Sequence, residues 1–255
     1  MDVVVGCCGL SGMKLEDYAR RFQALELQST FYKLPRASTA ERWKMVAPNL
    51  TFTLKAFQGI THPADSPTWR RSRNELKGVD PAEVGFLRLT KFTKMAWEKT
   101  ERVAEILDAK VIVIQLPPKY DCSGGNLSRL RAFLSAVSTE RIPAVEFRHR
   151  SWFGRLEEAR EVISPWGGII VTDPLKVDPP HQPLHYHRMH GSDGLTNYRH
   201  RYTNDELDRL RRSVGGKKAY VFFNNLSMKE DAESFSRILG LDRGSQGPAG
   251  SVEWV

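Results

Sequence analysis

Seven short apolar stretches of the chain each finish on a polar or charged side chain: LELQ (25–28), FTLK (52–55), VIVIQ (111–115), AVEFR (144–148), IIVTD (169–173), YHRMH (186–190) and VFFN (221–224). An eighth, VVVGC (3–7), opens the sequence. Their β-branched and aromatic content and their length predict buried strands, and the segments between most of them repeat apolar residues at helical spacing. Helices are expected over 15–22, from near Ser38 with Glu41 completing a capping box, and over 90–107, 127–137, 156–163, 203–215 and 228–239. Eight strands alternating with helices predict a (β/α)8 TIM barrel of the α/β class. Four prolines between 174 and 184 predict that the sixth helix is missing or vestigial. Residues 58–88 lack a clean period and predict a functional excursion over the active-site face. One barrel domain is expected over 1–240, with 241–255 a loosely ordered tail to which Trp254 alone offers an anchor.

Side chains alternate across a strand, so residues two apart share a face. Glu26 with Gln28, Thr53 with Lys55, Glu146 with Arg148, Arg188 with His190 and Phe222 with Asn224 are therefore paired on one side of their strands, with Gln115 above Val111 and Val113. The residues between them (Leu27, Leu54, Phe147, Met189, Phe223) are large and apolar, as helix-facing positions should be. A barrel whose inward positions turn polar only at the strand C-termini is building a site there. Buried charge is costly unless it is paired, so a ring of structural salt bridges is one reading of this set, with Glu146 pairing Arg188 or Lys55. The other is a bound anion, with Arg148 and Arg188 as clamps and Lys55 as a point charge, and with Glu146 and His190 as the acid–base pair.

Composition narrows the class. The 255 residues are 40% hydrophobic and 27% charged, ordinary globular values, and no apolar run reaches the ~20 residues of a membrane span. The first strand begins without a basic leader, so no signal peptide is expected. Three cysteines, two of them adjacent, fit a reducing cytoplasm better than a disulfide framework. The net charge of +8, from 38 Lys and Arg against 30 acids, favours anionic partners. No cofactor fingerprint is present. A divalent metal is left open by His62, Glu146, His149, Asp173 and His190. Cys7 or Cys8 would place one thiol at the mouth, and the glycines of 124–126 and 191–194 offer weak phosphate loops.

The segments LELQSTFYKLP (25–35), FTLKAFQGITHP (52–63), IQLPPKY (114–120), AVEFRHRSW (144–152), RMHGSDG (188–194) with Tyr198, and VFFNN (221–225) resemble the YecE-like family, domain of unknown function 72. The resemblance implies a TIM-barrel fold and carries the family's polar strand-end pattern onto Gln28, Lys55, His62, Gln115, Glu146, Arg148, His149, Trp152, Arg188, His190, Tyr198 and Asn224. Two departures touch the mouth: Gly6-Cys7-Cys8-Gly9 replaces a Gly-Thr-Ser-Gly-Trp-type segment, and Gln28 stands where many members have Asn.

The expected function is an enzyme of hydrolase or isomerase type acting on a phosphorylated or otherwise anionic small substrate. Glu146, His190 and His149 are its catalytic candidates, and the remaining residues of the pattern bind substrate. The alternative is nucleic-acid binding or phosphodiester processing, with Trp69, Tyr120, Trp152 and Tyr198 beside Arg70, Arg71 and Arg73 as a stacking and phosphate surface. A third reading is an anion-binding barrel without turnover.

Overall fold

In the computed structural model, which describes residues 2–137, 139–191 and 196–241, eight parallel strands close into a barrel in sequence order. They are β1 (Val3–Cys8), β2 (Ala24–Leu27), β3 (Thr51–Lys55), β4 (Val111–Gln115), β5 (Ile142–Glu146), β6 (Ile169–Thr172), β7 (His185–Met189) and β8 (Ala219–Phe223). Around them run α1 (Leu15–Arg21), α2 (Ser29–Tyr32), α3 (Ala37–Val46), α4 (Gln58–Thr61), α5 (Lys91–Leu107), α6 (Gly124–Ala136), α7 (Leu156–Ile163), α8 (Asn204–Val214) and α9 (Met228–Ile238). The fold is thus the single-domain TIM barrel that the strand pattern predicts.

Two apolar layers follow from the period of two. Val4, Cys8, Ala24, Val111, Val113, Ala144, Ile169, Val171, Tyr186, Tyr220 and Phe222 fill the barrel interior. The alternate positions, including Leu27, Leu54, Phe147, Met189 and Phe223, join the larger core between strands and helices. Gly6 occupies an inward position where β1 meets β2 and β8; a Cβ there would lie 2.1 Å from the carbonyl oxygen of Ala24.

No helix forms between β6 and β7, as the prolines predict. In that connection the buried amide of Gln182 satisfies both backbone groups of Ile170 as a neighbouring strand would: its Nε2 donates to the Ile170 carbonyl and its Oε1 accepts from the Ile170 N–H, both at 2.9 Å. Two expected helix starts differ. α3 begins at Ala37 with Arg36 as N-cap, so Ser38 lies inside the first turn and the Ser38–Glu41 box does not form. α6 starts at Gly124, which makes the Gly124-Gly125-Asn126 segment part of the helix's own first turn. The single-turn helices α2 and α4, each close after a strand, carry too few residues for a periodic signal.

The 58–88 excursion folds as α4 and three 3-10 turns (Pro67–Arg71, Arg73–Leu76, Pro81–Glu83), and its two ends are bonded together. The N–H groups of Gly85, Phe86 and Leu87 donate to the carbonyls of Gly59, Thr61 and Ile60 at 2.8–3.0 Å. Gly85 takes φ +81°, and a Cβ there would sit 2.4 Å from the carbonyl carbon of His62, so only glycine allows this closure. Most of the proposed 241–255 tail, Trp254 included, and residues 192–194 of the second glycine loop lie outside the described residues.

Candidate active site

Side chains from several strands converge on Glu146, the last residue of β5. Its Oε2 accepts a hydrogen bond from Arg188 Nη1. Its Oε1 lies 2.8 Å from Arg148 Nη2 and 2.9 Å from His190 Nε2. Arg188 reaches across the barrel with its second nitrogen, Nη2, to Glu26 Oε1 at 2.9 Å, an ion-pair contact. The other Glu26 oxygen accepts from the Tyr186 hydroxyl at 2.8 Å, and that hydroxyl meets Thr53 Oγ1 at the same distance. Gln115 Oε1 lies between the two guanidiniums, 3.3 Å from Arg148 and 3.4 Å from Arg188.

The polar network continues round the rim. Gln28 Nε2 donates to Asn224 Oδ1 at 2.8 Å, and Asn224 Nδ2 is 3.0 Å from His190 Nδ1. The Nε2 that faces Glu146 also lies 3.0 Å from Arg148 Nη2, which can only donate, so this ring nitrogen stands between an acceptor and a donor. Asp173, the next inward position after β6, accepts the His190 N–H at 3.3 Å and the Leu175 N–H at 3.2 Å, with Lys176 Nζ 3.7 Å away.

Burial and charge set the ionisation states. Burial alone would raise the Glu146 carboxyl, but Arg148, Arg188 and the His190 hydrogen bond outweigh it and hold the group well below the carboxylate range. Burial, reinforced by Arg148, lowers His190 to about 3 despite the Glu146 contact, so the ring is neutral at pH 7. His62 falls to about 3 through burial and the nearby Lys55 and Arg148. Burial raises Asp173 to about 6, with Lys176 and the backbone N–H groups only partly opposing it. One mouth thus holds two carboxyl groups whose environments drive them in opposite directions.

The sequence-predicted residues separate into groups. Glu146, Arg148, Arg188, His190, Gln115, Asn224 and Gln28 form the connected network described above. Arg188 sits within it but is only 1% exposed, with its guanidinium held between two carboxylates. It is enclosed within the barrel, whereas the Arg148 side chain keeps 11% of its surface open. Lys55 Nζ stands 3.7 Å from the centroid of the Phe31 ring, and the His62 ring meets Phe31 edge-on at 4.9 Å. Tyr198 is half exposed and edge-on to His190 at 6.4 Å.

His149 and Trp152 stand apart from this network. The His149 ring caps the following 3-10 turn (Arg150–Trp152): Nδ1 accepts the Ser151 N–H at 3.2 Å and meets Ser151 Oγ at 2.8 Å. It is the alternate, outward position after Glu146 and Arg148, which is why it does not join them. Trp152 is fully buried, stacked on Phe147 at 4.1 Å, with its N–H donated to the Tyr120 carbonyl. It shapes the wall and cannot face a ligand.

Trp69 and Tyr120 are buried as well, so of the four aromatics expected to stack bases only Tyr198 is open, although Arg70 and Arg71 are exposed, as is Arg73. Neither N-terminal thiol has an electropositive, open setting. Cys7 faces the helices, donates to the Met228 carbonyl and is pushed up to about 12 by burial, while Cys8 lies in the barrel interior and is raised well above the usual thiol range by burial and Glu26. Among the described residues no three of His, Cys, Asp or Glu converge as metal ligands, so the five residues named for a divalent ion do not form one set.

Sequence reasoning gave Asp173, Tyr186 and Thr53 no place among the substrate-binding residues. All three fall on the inward parity of their strands, and that parity is the signal that could have found them.

Beside the network opens a cavity of about 470 Å³ over the ends of β5, β6 and β7. Glu146, Arg148, Asp173 and His190 face it, Phe147, Phe153, Leu175 and Val177 give it apolar walls, and Arg150, Lys176 and Arg209 stand at its edge. An inward-turned charged network beside a cavity at the C-terminal face places the protein among TIM barrels with a ligand-sized mouth. The chain belongs to the family described as protein of unknown function DUF72, which residues 9–249 match. It is 26% identical over 263 residues to UPF0759 protein YunF of Bacillus subtilis (strain 168), covering 91% of this chain and 87% of that one. A DUF72 family protein from Enterococcus faecalis V583 superposes with a TM-score of 0.70 at 16% identity, covering 97% of this chain and 100% of that one. One from Thermotoga maritima MSB8 gives 0.65 at 24%, covering 94% and 100%. The barrel is shared more distantly with D-psicose 3-epimerase (TM-score 0.55, 13% identity, 92% and 96% covered) and with endonuclease IV from Thermus thermophilus (0.51, 13%, 93% and 95%). No described helix is long and apolar enough to cross a membrane.

Proposed function

We propose that this DUF72 protein is an enzyme of hydrolase or isomerase type that acts on a small anionic, typically phosphorylated, substrate at the C-terminal mouth of the barrel. The observation that carries the reading is the placement of Arg148. Its guanidinium is the rim member of a buried charged network, faces the cavity, and already rests on an anion, the Glu146 carboxylate. A substrate phosphate or carboxylate competing for Arg148 would take a positive charge away from Glu146. That raises the basicity of Glu146 only when substrate is bound, beside a His190 whose Nε2 lies 2.9 Å from it. Arg188, fixed between Glu26 and Glu146, keeps the carboxylate in place throughout. The epimerase and endonuclease neighbours support the barrel alone, since this fold hosts many chemistries.

The test is a thermal-shift panel at fixed salt with inorganic phosphate, sugar phosphates, nucleotides and short oligonucleotides. A ligand at about 100 times its Kd stabilises by about 2.7 kcal/mol, well within detection. The expected result is a shift with a small phosphorylated compound that disappears in Arg148→Ala, together with turnover of that compound that disappears in His190→Gln. A panel in which only oligonucleotides bind, with affinity falling steeply as salt rises, would transfer the protein to the nucleic-acid reading.

A further inference from the structure

Among the described residues, Lys55 is an inward-facing cation at a strand end that the network does not use. It has no carboxylate within ion-pair distance there, whereas Arg148 and Arg188 both lie against Glu146. Its ammonium position is over the face of Phe31, with His62 packed against the same ring, and 7% of the residue remains open. The backbone holds it there: the Lys55 carbonyl accepts from Thr30 Oγ1 at 2.6 Å, and the N–H of Ala56 donates to Val113 on β4. Two arginines already supply permanent positive charge to this mouth. What a lysine adds is an amine that can lose its proton, and desolvation beside other cations is the setting that makes it do so.

We propose that Lys55 is a carbonyl-condensing nucleophile, and that the substrate class is an aldehyde or ketone carrying a phosphate or carboxylate group. This rests on the reading of Arg148 as the anion holder and narrows it. The neutral amine of Lys55 adds its lone pair to the carbonyl carbon, and the oxygen takes a proton to give a carbinolamine. The hydroxyl then leaves as water. In total one carbonyl compound, one neutral lysine amine and one proton from solvent become one protonated imine on Lys55 and one water. The iminium makes the neighbouring C–H acidic, which is what a proton-shifting isomerase needs, and it does so with no group other than the chain's own lysine.

Desolvation outweighs the Phe31 ring face, which by itself favours the ammonium. Burial is the largest influence and lowers Lys55 from 10.5 to about 7; Arg188 and Arg148 push the same way, and Glu146 and Glu26 only partly oppose them. A neighbouring titratable group, His62, is itself held neutral chiefly by burial. At pH 7 the neutral fraction of such an amine is about a thousandfold that of an ordinary lysine.

The experiment uses the full chain at pH 7 with two probes, acetaldehyde and glyceraldehyde 3-phosphate, each in the presence of borohydride. Hydride reduces any iminium to a secondary amine, and peptide mass mapping then gives a rate for every lysine. The expected result is that Lys55 is modified about tenfold or more faster than the exposed lysines. Glyceraldehyde 3-phosphate should outpace acetaldehyde at Lys55, and Arg148→Ala should abolish that preference. Lys55→Arg, checked for an unchanged circular dichroism spectrum, should show no fast site. If neither aldehyde modifies Lys55 faster than the exposed lysines, the nucleophile is overturned, and a phosphate-induced thermal shift in the same preparation would leave the enzyme reading standing. If Lys55 is fast with both probes alike, the nucleophile stands and the anion role of Arg148 falls.

Discussion

Buried histidines carry the clearest residue-scale consequence. Burial lowers His62, His187 and His190 to about 3 and His185 to about 4, each from 6.5. A depressed folded pKa means that the unfolded chain binds the proton first. The stability these four groups contribute is complete above pH 6.5 and is lost as pH falls through the folded values, at up to about 1.36 kcal/mol per pH unit for each group. Asp173 acts in the opposite sense: raised from 3.8 to about 6, it contributes most below 3.8 and loses that contribution as pH rises through 6. Asp231, also raised by burial, acts with Asp173, and four histidines against these two carboxyls set the net sign. The melting temperature at matched ionic strength should therefore fall steadily from pH 6.5 to 4; a flat or rising profile would contradict the neutral assignment of these histidines.

Charge at this scale was partly legible in advance. Alternation alone places Glu26, Glu146, Arg148, Arg188 and His190 on one face, and they meet there. It could not say which cation would be buried between two carboxylates and which would reach the rim, because that depends on side chains from strands on opposite sides of the barrel. His149 is a case that alternation does decide. It sits beside Arg148 in the sequence, yet the alternation that brings Arg148 inward turns His149 out to Ser151.

Among the elements, the excursion between β3 and α5 is held at its ends by backbone. Its C-terminal end returns to α4 through three N–H donors, and Gly85 lies against the His62 carbonyl. Gly85→Ala should unlatch the segment and move His62. Trypsin should then cut at the exposed Arg70–Arg73 stretch markedly faster than in wild type. Gly124→Ala is the control, since that position has open space and no positive φ, and it should leave the cutting rate unchanged. α8 opens at the segment expected from 203, where Thr203 and Glu206 bond each other's backbone N–H groups. The capping box expected at Ser38 misled, because the N-cap is Arg36, two residues earlier. A capping box is local chemistry, but where a helix begins also depends on where the preceding loop delivers it.

For the molecule as a whole, closure of the barrel is the property most exposed to a single atom. β1 must lie against both β2 and β8, and Gly6 is where the three strands come together at the Ala24 carbonyl and the Phe222 ring. Adding one methyl group in Gly6→Ala drives it into the Ala24 backbone, which has no flexible end to yield. The expected outcome is loss of the cooperative unfolding transition in urea; a variant with wild-type midpoint and slope would show that the strands can part without cost.

Strand number and order, the inward and outward faces, the absent sixth helix and the charged end of the barrel could all be read from the chain alone. Those features are written in periods of two and in proline placement, which act over a few residues at a time. Closure of the barrel was needed to settle that Arg188 is enclosed while Arg148 faces the cavity, and that Trp69, Tyr120 and Trp152 are walls rather than stacking surfaces. It also left Lys55 over an aromatic ring instead of against a carboxylate. Each of these outcomes depends on distances between residues far apart in the chain, and on the desolvation that follows when the strands close around them.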